Sequence, residues 1–248
     1  MSHSSRLPWH RPDRWPTCGD RDVHVWRLPL TTIPDRQVEA HLSADEHARA
    51  TRFRFGADRT RFTVPRGLLR VILGRYAGVD PAAFVFSYGA AGKPAIADPP
   101  DARRFTFNVS HSAGVALIAV ARQRPIGVDV ERLREIEALE IARRFFSQGE
   151  IAAVQSVSGA ERQRVFFSCW TRKESVLKAC GAGLAASSGV EQRVEDGRRY
   201  GTVSGQQGSL SEWAVIDLDP GVGYVGALAV PGRDWAVSCW DADGMVTT

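Results

Sequence analysis

The chain has 248 residues, of which 44% are hydrophobic and 24% charged, with a net charge of +4. That composition is ordinary for a globular protein and supplies a core for one large domain or two small ones. No run approaches the roughly 18 to 20 apolar residues that cross a membrane, and MSHSSRLPWHRPDRWPTCGD (1–20) lacks the apolar centre of a secretory signal. A soluble, cytoplasmic protein is therefore expected, with residues 1–20 as a poorly ordered lead-in. Cys18, Cys169, Cys180 and Cys239 form no CxxC pair and no Cys/His cluster, which argues against a zinc site or disulfide scaffold. Cys169 and Cys180 fall in an apolar helical pattern and read as small buried hydrophobes. The positive balance favours an anionic partner, whether nucleic acid, phosphorylated cofactor or acidic protein, without choosing among them.

In chain order, DVHVWRLPL (22–30) alternates as a strand, and Ser43-Ala44-Asp45-Glu46 is a capping box that opens a helix. RTRFTVPRGLLRVILGRYAGV (59–79) is a long helical pattern ending at glycine, and FTFNVSHSAGVALIAVA (105–121) is a strand, turn and strand. The same order then returns. IGVDVERLR (126–134) is a strand, Ser147-Gln148-Gly149-Glu150 a second capping box, RQRVFFSCWTRKESVLKACGAGL (162–184) a second long helix, and AVIDLDPGVGYVGALAV (214–230) a second hairpin. The expected fold is α/β (α+β): a pseudo-twofold duplicated unit, each half an antiparallel-rich sheet packed on a long helix, with the active site in the cleft between halves. The seam falls near Gln123-Arg124-Pro125. Residues 21–123 would form the N-terminal half, 124–241 the C-terminal half carrying a metal site, and 242–248 a tail.

IGVDVE (126–131) carries a charge pattern that a plain strand does not need. Alternation puts Ile126, Val128 and Val130 on one face and Gly127, Asp129 and Glu131 on the other. Two carboxylates on one face mean either a solvated surface or a hard cation such as Mg²⁺ shared with substrate phosphates. On the second long helix, Val165, Phe166, Cys169, Trp170, Val176, Leu177 and Cys180 make one apolar arc. Lys173 falls within that arc, Glu174 just inside its edge, and Lys178 one turn further on the same side. Unpaired buried charge costs several kcal/mol, so these groups should be paired or near a cleft. The plainer alternative is a lysine reaching out to solvent beside an ordinary Glu–Lys pair. Together, three carboxylates and two lysines describe a site for a metal-bound phosphate ester. GKP (92–94) and NVSHS (108–112), with Asn108, Ser110 and His111 at a strand end, mean little alone.

In order and spacing, GKP, FNVSHS, PIGVDVE, RRFFSQGE and WTRKESVLKACGAGL resemble the surfactin-synthetase-activating (Sfp-type) 4′-phosphopantetheinyl transferases, over roughly residues 40–190. The resemblance implies a monomer that binds coenzyme A and Mg²⁺ (or Mn²⁺). It would transfer the phosphopantetheine arm to a serine of an apo acyl or peptidyl carrier protein and release adenosine 3′,5′-bisphosphate. Asp129, Glu131 and Glu174 match the family's metal ligands, and Glu174 also matches the base for the incoming serine. The catalytic set is then Glu174, Lys178 and Asp129, with Lys178 and nearby Lys173 at the diphosphate. Asn108, Val109, Ser110 and His111 match a coenzyme A phosphate segment, Gly92, Lys93 and Pro94 the adenosine-side loop, and Arg49 a contact to the 3′-phosphate. Where some relatives carry a second basic residue, this chain has Glu46, and Arg52 or Arg61 would compensate. Arginines 49, 52, 54, 59 and 61 serve coenzyme A or the carrier, undivided by sequence. No nucleic acid or membrane is implied. The rivals are a metal-dependent nuclease or phosphodiesterase, and a non-catalytic coenzyme A-binding protein. The family serves polyketide, nonribosomal peptide, siderophore and fatty-acid pathways, and no motif here selects one.

Overall fold

The computed structural model describes residues 7–30, 35–89, 91–181, 190–195, 198–204 and 210–243. The described chain divides into two compact units: Pro8–Gln123 joined by residues 235–243, and Arg124–Asp234. The first unit contains strands β1 (Trp9–His10) and β2 (Asp22–Pro29), helices α1 (Asp35–Glu39), α2 (Ala44–Ala50) and α3 (Gly56–Ala77), and strands β3 (Val85–Tyr88), β4 (Pro94–Asp98), β5 (Phe105–Ser112) and β6 (Val115–Arg122). The second contains β7 (Gly127–Arg132), α4 (Ala138–Phe145), α5 (Gln148–Gln155), α6 (Gly159–Cys180), β8 (Val190–Glu195), β9 (Arg198–Ser204), β10 (Leu210–Leu218) and β11 (Tyr224–Pro231); β12 (Ala236–Asp241) rejoins the first.

The first sheet runs β1-β12-β2-β6-β5, the second β7-β11-β10-β9-β8, and β3–β4 form a separate pair. The repeat read from the sequence therefore recurs in the strand order, because β2-β6-β5 has its counterpart in β7-β11-β10. Both long helices have 22 residues and stop at a glycine in the left-handed region, Gly78 at φ 71° and Gly181 at φ 72°. A side chain there would strain the backbone, which is why the helices end at these residues. Both capping boxes form, with the Ser43 and Ser147 N–H groups donating to the carboxylates of Glu46 (3.0 Å) and Glu150 (2.8 Å).

Helix spacing explains the first core. Leu68, Leu69, Ile72 and Leu73 of α3 are buried with Trp26 and Leu28 of β2 and Ile118 and Val120 of β6. Gly67 lets α1 approach, since a Cβ there would lie 2.5 Å from Val38 Cβ. Two boundaries differ from the sequence reading. β12 pairs in parallel with β2 (Cys239 opposite Val25) and β1 pairs in parallel with β12. Residues 236–241 thus extend the first sheet rather than close the C-terminal half, and the lead-in supplies a strand plus the aromatic ring of Trp15, packed on Trp26 at 4.8 Å. An unpaired β2 edge would leave backbone N–H and C=O groups without partners, and β12 removes that cost. Of the proposed tail, Ala242 is buried and donates its N–H to Arg27 O at 3.0 Å, while residues 244–248 lie outside the described set. Cys180 also differs: Cys18, Cys169 and Cys239 are buried but Cys180 is exposed, on the last turn of α6 at the margin of its apolar arc.

A polar trio of Trp26, Tyr76 and His24 should make the first unit sensitive to acid. Trp26 Nε1 donates to Tyr76 Oη at 2.9 Å, and Tyr76 Oη lies 2.6 Å from His24 Nδ1. An indole can only donate, so the tyrosine oxygen accepts from Trp26. Burial holds the imidazole below its ordinary value of 6.5, with Asp22 opposing weakly. A histidine whose folded-state pKa is depressed contributes stability that is complete above the unfolded value and lost as pH falls below it. The unfolding midpoint should fall between about pH 7 and pH 5, and His24→Gln should flatten that slope. A variant with the wild-type slope in calorimetric scans would contradict this assignment.

Candidate active site

β7 is an edge strand hydrogen-bonded to β11, with Gly127 opposite Ala229, Asp129 opposite Ala227 and Glu131 opposite Val225. Helix α6 lies against it at a distance only glycine permits. A Cβ on Gly127 would sit 2.0 Å from Ser175 O and 2.4 Å from Ala179 N. That contact decides the fate of the next residues on the same face. Asp129 and Glu131 follow Gly127 beneath α6, and Asp129 is only 4% exposed. Ile126, Val128 and Val130 are buried on the opposite face, so the strand has no solvated side at these positions. Asp129 is therefore no surface charge, while Glu131 is partly exposed.

Helix α6 supplies the remaining charges. Lys178 Nζ lies 2.6 Å from Asp129 Oδ1. The Glu174 carboxyl is pushed above the ordinary glutamate value, first by burial and then by the nearby negative charge of Asp129; Lys178 opposes this and Glu131 adds to it. Its Oε1 is buried and has no hydrogen-bond partner among the described residues. Glu131 pairs with Arg134 at 3.0 Å, and Arg134 in turn lies over the Phe167 ring at 4.8 Å. Burial of like charges is expensive, and a cation among them would reverse that cost. Among the described residues, no three Asp, Glu, His or Cys side chains are already gathered as a metal cage. Lys178 and Arg134 instead hold two of the three carboxylates. The donor set is nevertheless all oxygen, as hard divalent cations require, and the bare Glu174 Oε1 is the kind of ligand atom such an ion takes up.

Lys173 departs from the sequence expectation. It is 2% exposed, and its Nζ is 2.6 Å from Val190 O and 3.1 Å from Glu150 Oε2, above the Phe146 ring. One residue along a helix is about 100° of rotation, so Lys173 cannot share the face of Glu174 and Lys178. It pins α6 to α5 and β8. Neighbouring Arg172 ties α6 to β10 through a two-pronged pair with Asp217, both contacts at 2.7 Å. Trp170 stacks on Phe166 (5.9 Å) and meets the edge of Phe145 (5.7 Å), which fixes the roll of α6. The GAGL end of its motif reaches residues 182–184, outside the described set.

In the first unit, a groove of about 200 Å³ opens between α3, β4 and β5, lined by Arg61, Pro65, Arg66, Pro94, Val109 and His111, with Phe62 and Leu69 beneath. Three of the expected coenzyme A residues, Pro94, Val109 and His111, meet there, joined by Arg61. Asn108 and Ser110 do not line it: they are buried on the opposite face of β5, as strand alternation requires. Gly92, at φ 76°, makes the turn before Lys93, with Gly89 N–H donating to Lys93 O at 3.0 Å. Arg49 stacks over Phe62 at 4.9 Å and lines a separate, open hollow with Asp45, Arg52 and Phe53. Glu46 is no stand-in for a basic phosphate ligand. It is 4% exposed and bound to Arg70 at 2.7 Å and Arg66 at 3.3 Å. No motif in the sequence marks Arg66 or Arg134, whose places follow only from Glu46 and Glu131.

Comparison with known proteins covers most of the chain. Residues 125–229 match the family model described as the 4′-phosphopantetheinyl transferase superfamily, and residues 35–123 that described as 4′-phosphopantetheinyl transferase, N-terminal. The 4′-phosphopantetheinyl transferase HetI of Nostoc sp. is 40% identical over 223 residues, 88% of this chain and 92% of that protein. A putative 4′-phosphopantetheinyl transferase of Synechocystis sp. is 35% identical over 69% of each chain. The 4′-phosphopantetheinyl transferase Sfp of Bacillus subtilis is 34% identical over 63% of this chain and 68% of its own. With family matches on both units and such similarity across nearly a whole relative, the chain belongs to the Sfp-type 4′-phosphopantetheinyl transferases, enzymes that transfer phosphopantetheine from coenzyme A to carrier proteins.

Proposed function

We propose that this enzyme holds Mg²⁺, or Mn²⁺ in its place, with Asp129, Glu131 and Glu174, and that Glu174 takes the proton of the carrier serine. The observation that carries this reading is the Glu174 carboxyl beside Asp129 and Glu131, with Oε1 buried and without a hydrogen-bond partner among the described residues, and with a raised affinity for protons. When bound, the divalent ion neutralises the diphosphate and polarises its oxygens. The rest falls to the chain. A serine hydroxyl is a poor nucleophile near neutral pH and needs a base within hydrogen-bond reach. Glu174 accepts the hydroxyl proton as the serine oxygen attacks the phosphorus that carries the pantetheine arm. The bond from that phosphorus to the bridging oxygen breaks, and adenosine 3′,5′-bisphosphate leaves with the bond's electron pair. Lys178, released from Asp129, turns its N–H donors to the diphosphate oxygens, where charge grows.

In this reading Arg61, Arg66 and His111 hold phosphate groups of coenzyme A in the α3–β5 groove, while Arg49 and Arg52 in the open hollow serve the 3′-phosphate or the acidic face of the carrier. Lys93 closes the adenosine side. The enzyme acts as a cytoplasmic monomer on an acyl or peptidyl carrier, without nucleic acid or membrane. No helix among the described residues is long and apolar enough to cross a membrane. The test is intact-mass spectrometry of apo acyl and peptidyl carriers incubated with the enzyme, coenzyme A and Mg²⁺. One phosphopantetheine adduct per carrier, lost on chelation, is expected. No adduct on any carrier, or an adduct indifferent to chelation, would overturn the reading.

A further inference from the structure

The Glu46 cluster contains more positive charge than it neutralises. One buried carboxylate faces two guanidinium groups: Oε2 accepts from Arg70 Nε at 2.7 Å and Oε1 lies 3.3 Å from Arg66 Nε. Arg70 is spent on structure, since its Nη1 also donates to the carbonyls of Phe84 (2.9 Å) and Pro81 (3.1 Å). Asp45, the other carboxylate nearby, is exposed and accepts from Ser43 Oγ at 2.6 Å. Arg66 is fixed but not saturated. Its Nη2 donates to Tyr88 Oη at 3.0 Å, its guanidinium lies over the Phe86 ring at 5.2 Å, and its Nη1 is buried without a hydrogen-bond partner among the described residues. Arg66 also lines the groove that holds Arg61 and His111. A guanidinium held on both sides in the wall of a groove is preorganised for a phosphate oxygen.

We infer that Glu46 is a positioning residue for coenzyme A. With Tyr88 as second support, it fixes the Arg66 guanidinium in the groove wall, for contact with a phosphate oxygen of the ligand. The carboxylate at this position works through an arginine one helix away, rather than by touching the ligand. The inference rests on the reading of the groove as a coenzyme A site.

The experiment is a double-mutant cycle on the full-length enzyme, following transfer to an apo carrier at varied coenzyme A. Glu46→Gln keeps an acceptor for Ser43 and Arg70 but removes the charge that aims Arg66. It should raise KM for coenzyme A about tenfold and leave kcat within about twofold. In an Arg66→Ala background the same change should add nothing to KM, because its only route to the ligand is gone. If the two effects multiply instead, Glu46 acts through general structure and the positioning role is wrong while the groove reading stands. If Arg66→Ala alone leaves KM unchanged, the groove reading fails and the inference with it. Should Glu46→Gln fail to fold, Tyr88→Phe removes the other support from an exposed side chain. A rise in KM of about threefold, again absent without Arg66, is expected; an unchanged KM would overturn the role.

Discussion

Asp129→Ala and Glu174→Gln should each lower kcat for carrier modification by about a thousandfold or more while leaving the fold intact. The size follows from what each carboxylate is asked to do. Glu174 is proposed both to bind the cation and to take the serine proton, and an amide can do neither at useful strength. Asp129 is buried and fixed by strand pairing, so no neighbouring side chain can replace it. The fold survives for the same electrostatic reason that makes the site reactive. Asp129 and Glu131 raise the proton affinity of Glu174, so removing one carboxylate relieves repulsion and offsets the lost pair with Lys178. Lys178, 29% exposed at its side chain, can turn to solvent. The unfolding midpoint should therefore correspond to a stability change of about 1 kcal/mol or less. Steady-state transfer assays with thermal scans check both halves, and near-normal turnover in both variants would remove the site assignment.

Gly127→Ala should be the most damaging small substitution in the second unit. Its Cβ would lie 2.0 Å from a backbone oxygen and 2.4 Å from a backbone nitrogen of α6. Backbone atoms cannot rotate away as a side-chain tip can, so the helix must move by more than an ångström to reach ordinary contact. Overpacking of this kind costs about 3 kcal/mol or more. The same shift separates Glu174 and Lys178 from Asp129, and misplacement by about 1 Å can reduce the rate of a positioned reaction about a hundredfold. The variant should unfold at lower urea and turn over slowly per folded molecule. Wild-type stability together with wild-type turnover would show that the close approach of β7 and α6 is not needed.

The sequence was informative wherever local physics decides. Alternation placed Asp129 and Glu131 on one face, both capping boxes formed at Ser43 and Ser147, and both long helices stopped at the expected glycines. It was less informative where distant chain decides. Gly127 reads as one more residue of an alternating strand, and only the approach of Ser175 and Ala179 shows why it carries no side chain. The family resemblance put Lys173 near Lys178 at the diphosphate, yet only Lys178 pairs with Asp129, while Lys173 is turned to Glu150 and the β8 backbone. β12 looked like the end of the second half, since nothing local marks a strand that pairs in parallel with β2, two hundred residues earlier. Glu46 looked like a departure from the basic pattern. In the structure it pairs with Arg70 and Arg66, two charges whose partnership with it no spacing rule announces.

Asp129, Glu131 and Glu174 are proposed to share one divalent ion beside Lys178. Electron paramagnetic resonance of Mn²⁺ titrated into the enzyme with coenzyme A tests it without relying on turnover. A single bound Mn²⁺ per chain is predicted in the wild type, lost or greatly weakened in Asp129→Ala and in Glu174→Gln. Mn²⁺ binding of wild-type strength in both variants would contradict a shared site.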